Sequence, residues 1–133
     1  MSFDKISFSH WFIETKDIIE QRFLPFINPE TQEFFKCGSI YLALTFNAQH
    51  VYLNMLIGKE KDNSEGLREF ISACKRAGIK IIRFGTYAKN TKMIRMFKYI
   101  KATEINRIDN FYIDGDALIE YELNIEETKR FGQ

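Results

Sequence analysis

Few side chains in this chain are of a type that can do chemistry. The most uneven feature is charge. Residues 71–103 carry nine basic residues, among them Arg83, Lys89, Lys92, Arg95, Lys98 and Lys101, and no acidic one. The rest of the chain holds ten basic against eighteen acidic residues, a net of −8. A local field of this sign suits an anionic partner such as a nucleotide, a nucleic acid or an acidic protein, although a solvated basic face would leave the same composition. Tyr87 and Tyr99 lie within the basic block and are candidates to stack on bases. His10 and His50 are the only histidines and have no metal-ligand partners at a recognisable spacing, so no metal is expected. Cys37 and Cys74 are far apart in sequence and are expected as free thiols in a reducing compartment. No Ser-His-Asp or Cys-His set, Walker loop or Gly-x-Gly-x-x-Gly is visible.

The elements that must position these residues follow from periodicity. Phe8, Trp11, Phe12, Ile18, Ile19 and Phe23 recur at helical spacing, which predicts a helix from Ser9 to Phe23 ended by Pro25. A short strand at Phe3–Ile6 can precede it. Asn28-Pro29 reads as an N-cap opening a second, short helix that stops near Gly38. Residues 40–46 and 51–57 alternate apolar and other residues and predict a hairpin. Asp62 and Glu65 have capping-box spacing at the start of a helix whose apolar face is Leu67, Phe70, Ile71 and Cys74, with Gly78 as its stop. The β-branched run Ile79–Thr86 reads as a buried strand, so strand, helix and strand form a parallel βαβ crossover. Asn90 caps a further helix with Met93, Met96, Phe97 and Ile100 on one arc. Residues 104–113 and 117–125 predict a last hairpin closed by a tight Asp114-Gly115 turn. Residues 126–133 read as a frayed tail.

This order, read over 1–133 as one domain with a short or missing first strand at 1–6, resembles the GNAT N-acetyltransferase superfamily, most clearly from Leu56 to Leu123. The resemblance implies a mixed, mostly antiparallel α/β sheet with a splayed parallel strand pair and about four helices. It implies an acyl-CoA, acetyl-CoA or another, in the gap between those strands. Its phosphates would lie on the loop before the central helix, which here reads Ile57-Gly-Lys-Glu-Lys-Asp-Asn-Ser-Glu-Gly66. On that basis Ile57, Gly58, Lys59, Lys61, Ser64, Gly66 and Asn90 are the candidate cofactor-binding residues, helped by the positive end of the helix. The loop departs from the family pattern: it has no Gly-x-Gly, and Glu60, Asp62 and Glu65 would repel phosphate. The family's general-acid Tyr falls on Phe97, and its Gly-Phe on Lys101-Ala102. Tyr99 is displaced by roughly 200° around the helix. The family's base is absent from the strand 51–57, where Asn54 can orient a water but cannot take a proton. The weak catalytic candidates are therefore Tyr99, Asn54 and His50.

The expected function is acyl transfer from an acyl-CoA to an amine. The alternative rests on a further local resemblance: the Asn90-Thr-x-x-Ile-Arg opening is similar to that of GNAT-like internal virion proteins of short-tailed phages. That implies a catalytically inactive protein acting in a virion or on a protein partner. Nucleic-acid binding by the basic helix is a third reading, and pairing of the Phe111–Tyr121 hairpin across a homodimer is an open option. With no apolar run of about 20 residues and no signal-peptide pattern, the expected location is the cytoplasm, without a membrane.

Overall fold

The computed structural model describes residues 3–58 and 64–125. Its elements run β1 (Asp4–Ile6), α1 (Phe8–Thr15), a 3₁₀ segment (Gln21–Phe26), β2 (Glu33–Cys37), β3 (Ile40–Phe46), β4 (Val51–Gly58), α2 (Ser64–Arg76), β5 (Ile81–Tyr87), α3 (Thr91–Tyr99), β6 (Thr103–Ile108) and β7 (Leu118–Asn124). Seven strands form one sheet in the order β1-β2-β3-β4-β5-β7-β6. Every neighbouring pair is antiparallel except β4 and β5, which run parallel. The mixed α/β class and the parallel crossover are as expected, and the first strand is present but three residues long.

Three sequence expectations are corrected. The first helix stops at Thr15, whose hydroxyl bonds back to the Trp11 carbonyl at 2.9 Å. The apolar arc does continue through Ile18, Ile19 and Phe23, but those residues serve a different surface, described below. Second, the expected helix after Asn28 is one turn only, with Gln32 N–H donating to the Asn28 carbonyl at 3.0 Å. Residues 33–37 then become β2, because Phe34 turns into a cluster under α1 while Phe35 faces the other way against Phe46. Two adjacent Phe residues satisfy both faces of a strand better than one face of a helix. Third, no tight Asp114-Gly115 hairpin forms. Residues 109–117 make a longer loop, in which Gly115 has φ +88° and donates to the Tyr112 carbonyl at 2.8 Å.

The sheet has a core on each face. The larger one sits under α2 and α3 and includes Leu42, Leu53, Phe70, Ile82, Phe84 and Phe97. The smaller one joins Trp11 of α1 to Phe34, Tyr41 and Ala43. Leu67, Phe70, Ile71 and Cys74 are all buried, as the α2 pattern requires. Both later helices end alike: Ile79 N–H donates to the Cys74 carbonyl beside Gly78 at φ +80°, and Ala102 N–H to the Phe97 carbonyl beside Lys101 at φ +64°. This left-handed stop suits glycine, and Lys101 adopts it with a Cβ. Cys37 and Cys74 are both buried free thiols, and burial pushes the Cys74 thiol up to about 12, so it stays protonated and inert at neutral pH. No helix among the described residues is long and apolar enough to cross a membrane.

Candidate functional site

The site begins with an irregularity in β4. Its register with β3 pairs Leu44 with Leu53 and Ala43 with Met55, so Asn54 is an extra, unpaired residue. Such a bulge bends its strand and increases the local twist. On the other side, β4 pairs with β5 only at Val51–Ile82, Tyr52–Arg83 and Leu53–Phe84. Pairing stops at the residue before the bulge although both strands continue, β4 to Gly58 and β5 to Tyr87. The two strands therefore splay, and past Leu53 the β5-facing edge of β4 has no strand partner. Backbone donors left this way require a partner from a ligand or solvent.

A cavity of about 290 Å³ occupies the splay on the α3 side. Residues 54–58 form one wall, Gly85 to Tyr87 with Asn90 another, and Met93 and Phe97 close it from α3. Ile18, Ile19 and Phe23 cover it from the segment that helical periodicity assigns to α1. Asn90 holds this corner together: its Oδ1 accepts from Met93 N–H at 3.4 Å as the α3 N-cap, and its Nδ2 donates to Thr86 Oγ1 at 2.9 Å. No lysine or arginine is among the described residues lining this cavity. Lys92, Arg95, Lys98 and Lys101 are exposed on the outer side of α3 instead.

A second cavity, of about 360 Å³, lies across the same splay. It shares Phe23, Asn54, Met55, Gly85 and Tyr112 with the first, so the two meet at the bulge. Its own walls are Tyr52, Phe26, Phe111 and Glu120. Glu120 is the β7 partner of Gly85. Because Gly85 has no side chain, the Tyr52 hydroxyl approaches to 3.4 Å from the position a Cβ would take there, and it donates to Glu120 Oε2. Asn106 Nδ2 donates to Glu120 Oε1 at 2.9 Å. Burial first, and then the adjoining Glu120 carboxylate, push the Tyr52 phenol well above its ordinary value, so it remains a donor.

The roof over both cavities is the 3₁₀ segment latched to the 109–117 loop. Arg22 pairs with Asp114 at 2.5 Å and lies over the rings of Tyr87 and Phe23, with centroid distances of 4.2 and 4.6 Å. Phe26 stacks on Phe111 at 5.0 Å, and Phe23 meets Tyr112 edge-on at 5.5 Å. The Tyr112 phenol is pushed up, mainly by burial, so it is a proton donor at neutral pH.

The candidates that the sequence suggests divide cleanly. Asn54, Ile57, Gly58 and Asn90 line the first cavity. Gly66 lies in the first turn of α2, where a Cβ would stand 2.6 Å from Ile40 Cδ1, so its smallness lets the helix approach β3. Ser64 begins α2, and Lys59 and Lys61 lie outside the described residues. His50 sits at the β3–β4 turn, hydrogen-bonded to Asn47 at 3.2 Å and lining neither cavity. Tyr99 is 49% exposed and also lines neither. Phe97 is buried against Phe84 and Tyr121, with centroids at 4.5 and 4.9 Å, so α3 presents no hydroxyl from that position. Tyr87 lines the first cavity, with Arg22 over its ring at 4.2 Å and Phe23 beside it at 5.6 Å. Phe111 and Tyr112 pack on the 3₁₀ segment of their own chain, and β7 is an interior strand. Sequence reasoning misses Tyr52, Tyr112 and Glu120. The signal for Glu120 is a carboxylate opposite a strand glycine, which needs the register to be read.

No protein-family model matches the chain, and no curated protein matches it by sequence. Solved structures do match. The Escherichia coli ribosomal-protein-S18-alanine N-acetyltransferase superposes with TM-score 0.69 at 16% identity over 93% of each chain. A putative acetyltransferase of the GNAT family from Desulfovibrio desulfuricans gives 0.62 at 13% identity, over 93% of this chain and 98% of that one. YncA, a putative acetyltransferase from Salmonella typhimurium solved with its cofactor acetyl-CoA, gives 0.55 at 12% identity over 72% and 66%. With the strand order, the bulged and splayed parallel pair and these superpositions together, the chain has the fold of the GNAT N-acetyltransferases.

Proposed function

We propose that this chain binds an acyl-CoA in the first cavity and transfers the acyl group directly to an amine entering from the second. The observation that carries the reading is the splay itself: β4 and β5 stop pairing at Leu53 and Phe84 while both continue, and cavities on the two sides meet there. The bound acetyl-CoA of the Salmonella relative supports the choice of ligand. In this reading the unpaired edge of β4 lies along the amide-bearing arm of the carrier and offers N–H groups to the thioester carbonyl, where negative charge develops. The amine nitrogen attacks the carbonyl carbon, the C–S bond breaks, the amine gives up a proton and the departing thiolate takes one up. Holding both reactants across the bulge is the main catalytic contribution. Tyr112, which borders both cavities, is the phenol placed to protonate the thiolate, since position 97 carries no hydroxyl. The phosphates extend toward residues 59–63, so Lys59, Lys61 and the α2 N-terminus, with Ser64 and Gly66, belong to this proposal.

Two observations favour a second reading, binding without turnover: Phe97 stands at the position of the family's acid, and no lysine or arginine is among the described residues lining the first cavity. That reading keeps the protein partner suggested by the phage resemblance. Calorimetric and thermal-shift titration with acetyl-CoA tests the ligand. Binding should raise the melting temperature, with about 2.7 kcal/mol of stabilisation at a hundredfold excess over Kd. No shift at millimolar acetyl-CoA would remove the proposal. Binding with no CoA release in the presence of amines would leave the second reading.

A further inference from the structure

The second cavity carries one charge among its described lining residues, and it is negative. Glu120 stands in a wall otherwise made of aromatic, aliphatic and amide side chains. No ion pair links it to a cation among the described residues. Arg83, which shares this sheet face through the register Arg83–Glu122 and Gly85–Glu120, is committed to Glu122 at 2.8 Å. Arg22, 5.7 Å from the Tyr112 ring centroid behind the wall, is committed to Asp114. A carboxylate has about four acceptor positions. Tyr52 and Asn106 use one on each oxygen, which leaves capacity for an incoming N–H. The ring faces and edges of Phe23, Phe26, Phe111 and Tyr112 border the same space. Such a surround favours a cation that brings its own apolar body.

From this arrangement we infer that the acceptor is a primary ammonium on an apolar carbon chain or ring, with no carboxylate near the nitrogen, and that Glu120 is the residue that selects it. An α-amino acid places its own carboxylate within a few ångströms of the ammonium. In this cavity that group would meet Glu120 and find no lysine or arginine among the described lining residues to receive it, and like charges placed together in a partly buried site repel strongly. A neutral alcohol of the same shape would keep the aromatic contacts and a hydrogen bond to the carboxylate, and would lose the attraction between opposite charges. Tyr52 is a positioning residue: its hydroxyl, admitted by Gly85, fixes the carboxylate so that its remaining lone pairs face the cavity.

The inference rests on the acyl-transfer reading for its biological sense, but its test does not. The intact chain is titrated with 2-phenylethylammonium, 2-phenylethanol and phenylalanine, once alone and once with coenzyme A present. The ammonium should bind at least tenfold more tightly than either analogue, and Glu120→Gln, nearly isosteric and still able to accept from Tyr52, should reduce its affinity to that of the alcohol. Circular dichroism checks that the variant is folded. The wild-type series stands on its own if it is not. Phenylalanine binding as well as the ammonium in both titrations overturns the inference, as does a folded Glu120→Gln that keeps the tenfold preference. A chain that shows the preference but binds no acetyl-CoA supports the ammonium site and sinks acyl transfer. A chain that binds acetyl-CoA without the preference sinks the inference alone.

Discussion

The two cavities flanking the β4 bulge are built on different principles. The first is cut into the core. Phe97 is 3% exposed, Phe84 and Leu67 are buried, and Asn90 and Thr86 are tied to each other. The second is assembled between a sheet face and the outer part of the roof that both share: Phe26 is 38% exposed, and Asp114, which holds the largely buried Arg22, is 44% exposed. A reaction between a large invariant carrier and a small variable acceptor has the same asymmetry. Under the proposed acyl transfer, the carrier side would be made of core and the acceptor side of loop.

Mutations can break or sharpen this contrast. The largest effect is expected from Phe97→Ala, which removes a buried ring from between Phe84 and Tyr121. It should cost about 3–5 kcal/mol in urea denaturation. A value near 1 would mean the first cavity is not part of the core. Asn90→Ala loses the α3 cap and the bond to Thr86 and should cost about 1–2 kcal/mol, with weaker acetyl-CoA binding in the same preparation. Lys101→Gly removes a left-handed residue bearing a Cβ at the end of α3 and should stabilise by about 1 kcal/mol. Phe26→Ala, in the roof, should cost about 0.5–1.5 kcal/mol because Phe26 is already 38% exposed and its ring partners are Phe111 and Tyr112 of the neighbouring loop. Its larger effect should be on amine affinity, leaving acetyl-CoA affinity within about twofold. Equal losses on both ligands would erase the distinction between the cavities.

The smallest effect is one of pH. The Asp114 carboxyl is held below its ordinary 3.8, first by the Asp116 backbone N–H and then by Arg22. Because the folded value is depressed, the latch is fully present above pH 4 and is lost as pH falls through the lower folded value. Hydrogen exchange at residues 111–117 should accelerate in that range, while the amides of α3 stay protected. Asp114→Asn should remove the acceleration.

Much of the first cavity is legible in the sequence alone. The βαβ order, the apolar face of α2 and the Asn90 cap are local patterns, and the splay follows from the family resemblance that they carry. What misleads is also local. Ile18, Ile19 and Phe23 continue the helical period of Phe8, Trp11 and Phe12, yet serve a different surface, and Phe34-Phe35 fits a helix or a strand until its partners are known. His50 and Tyr99 are candidates by side-chain type, and tertiary placement leaves both outside the cavities. The basic block is not a cavity wall: Lys92, Arg95, Lys98 and Lys101 lie on the exposed side of α3, as amphipathicity demands, Lys75 and Arg76 end α2, and Arg83 lies on β5 paired with Glu122.

By itself the sequence determined what short-range physics can determine: which stretches alternate with period two or 3.6, where helices are capped, and that charge is segregated along the chain. Only the tertiary structure decided that β4 carries its extra residue at Asn54, that pairing with β5 ends there, and that Tyr52, Gly85, Tyr112 and Glu120 meet. These residues come from separate elements, and their proximity depends on strand register. A shift of one position would turn Tyr52 or Glu120 to the opposite face of the sheet.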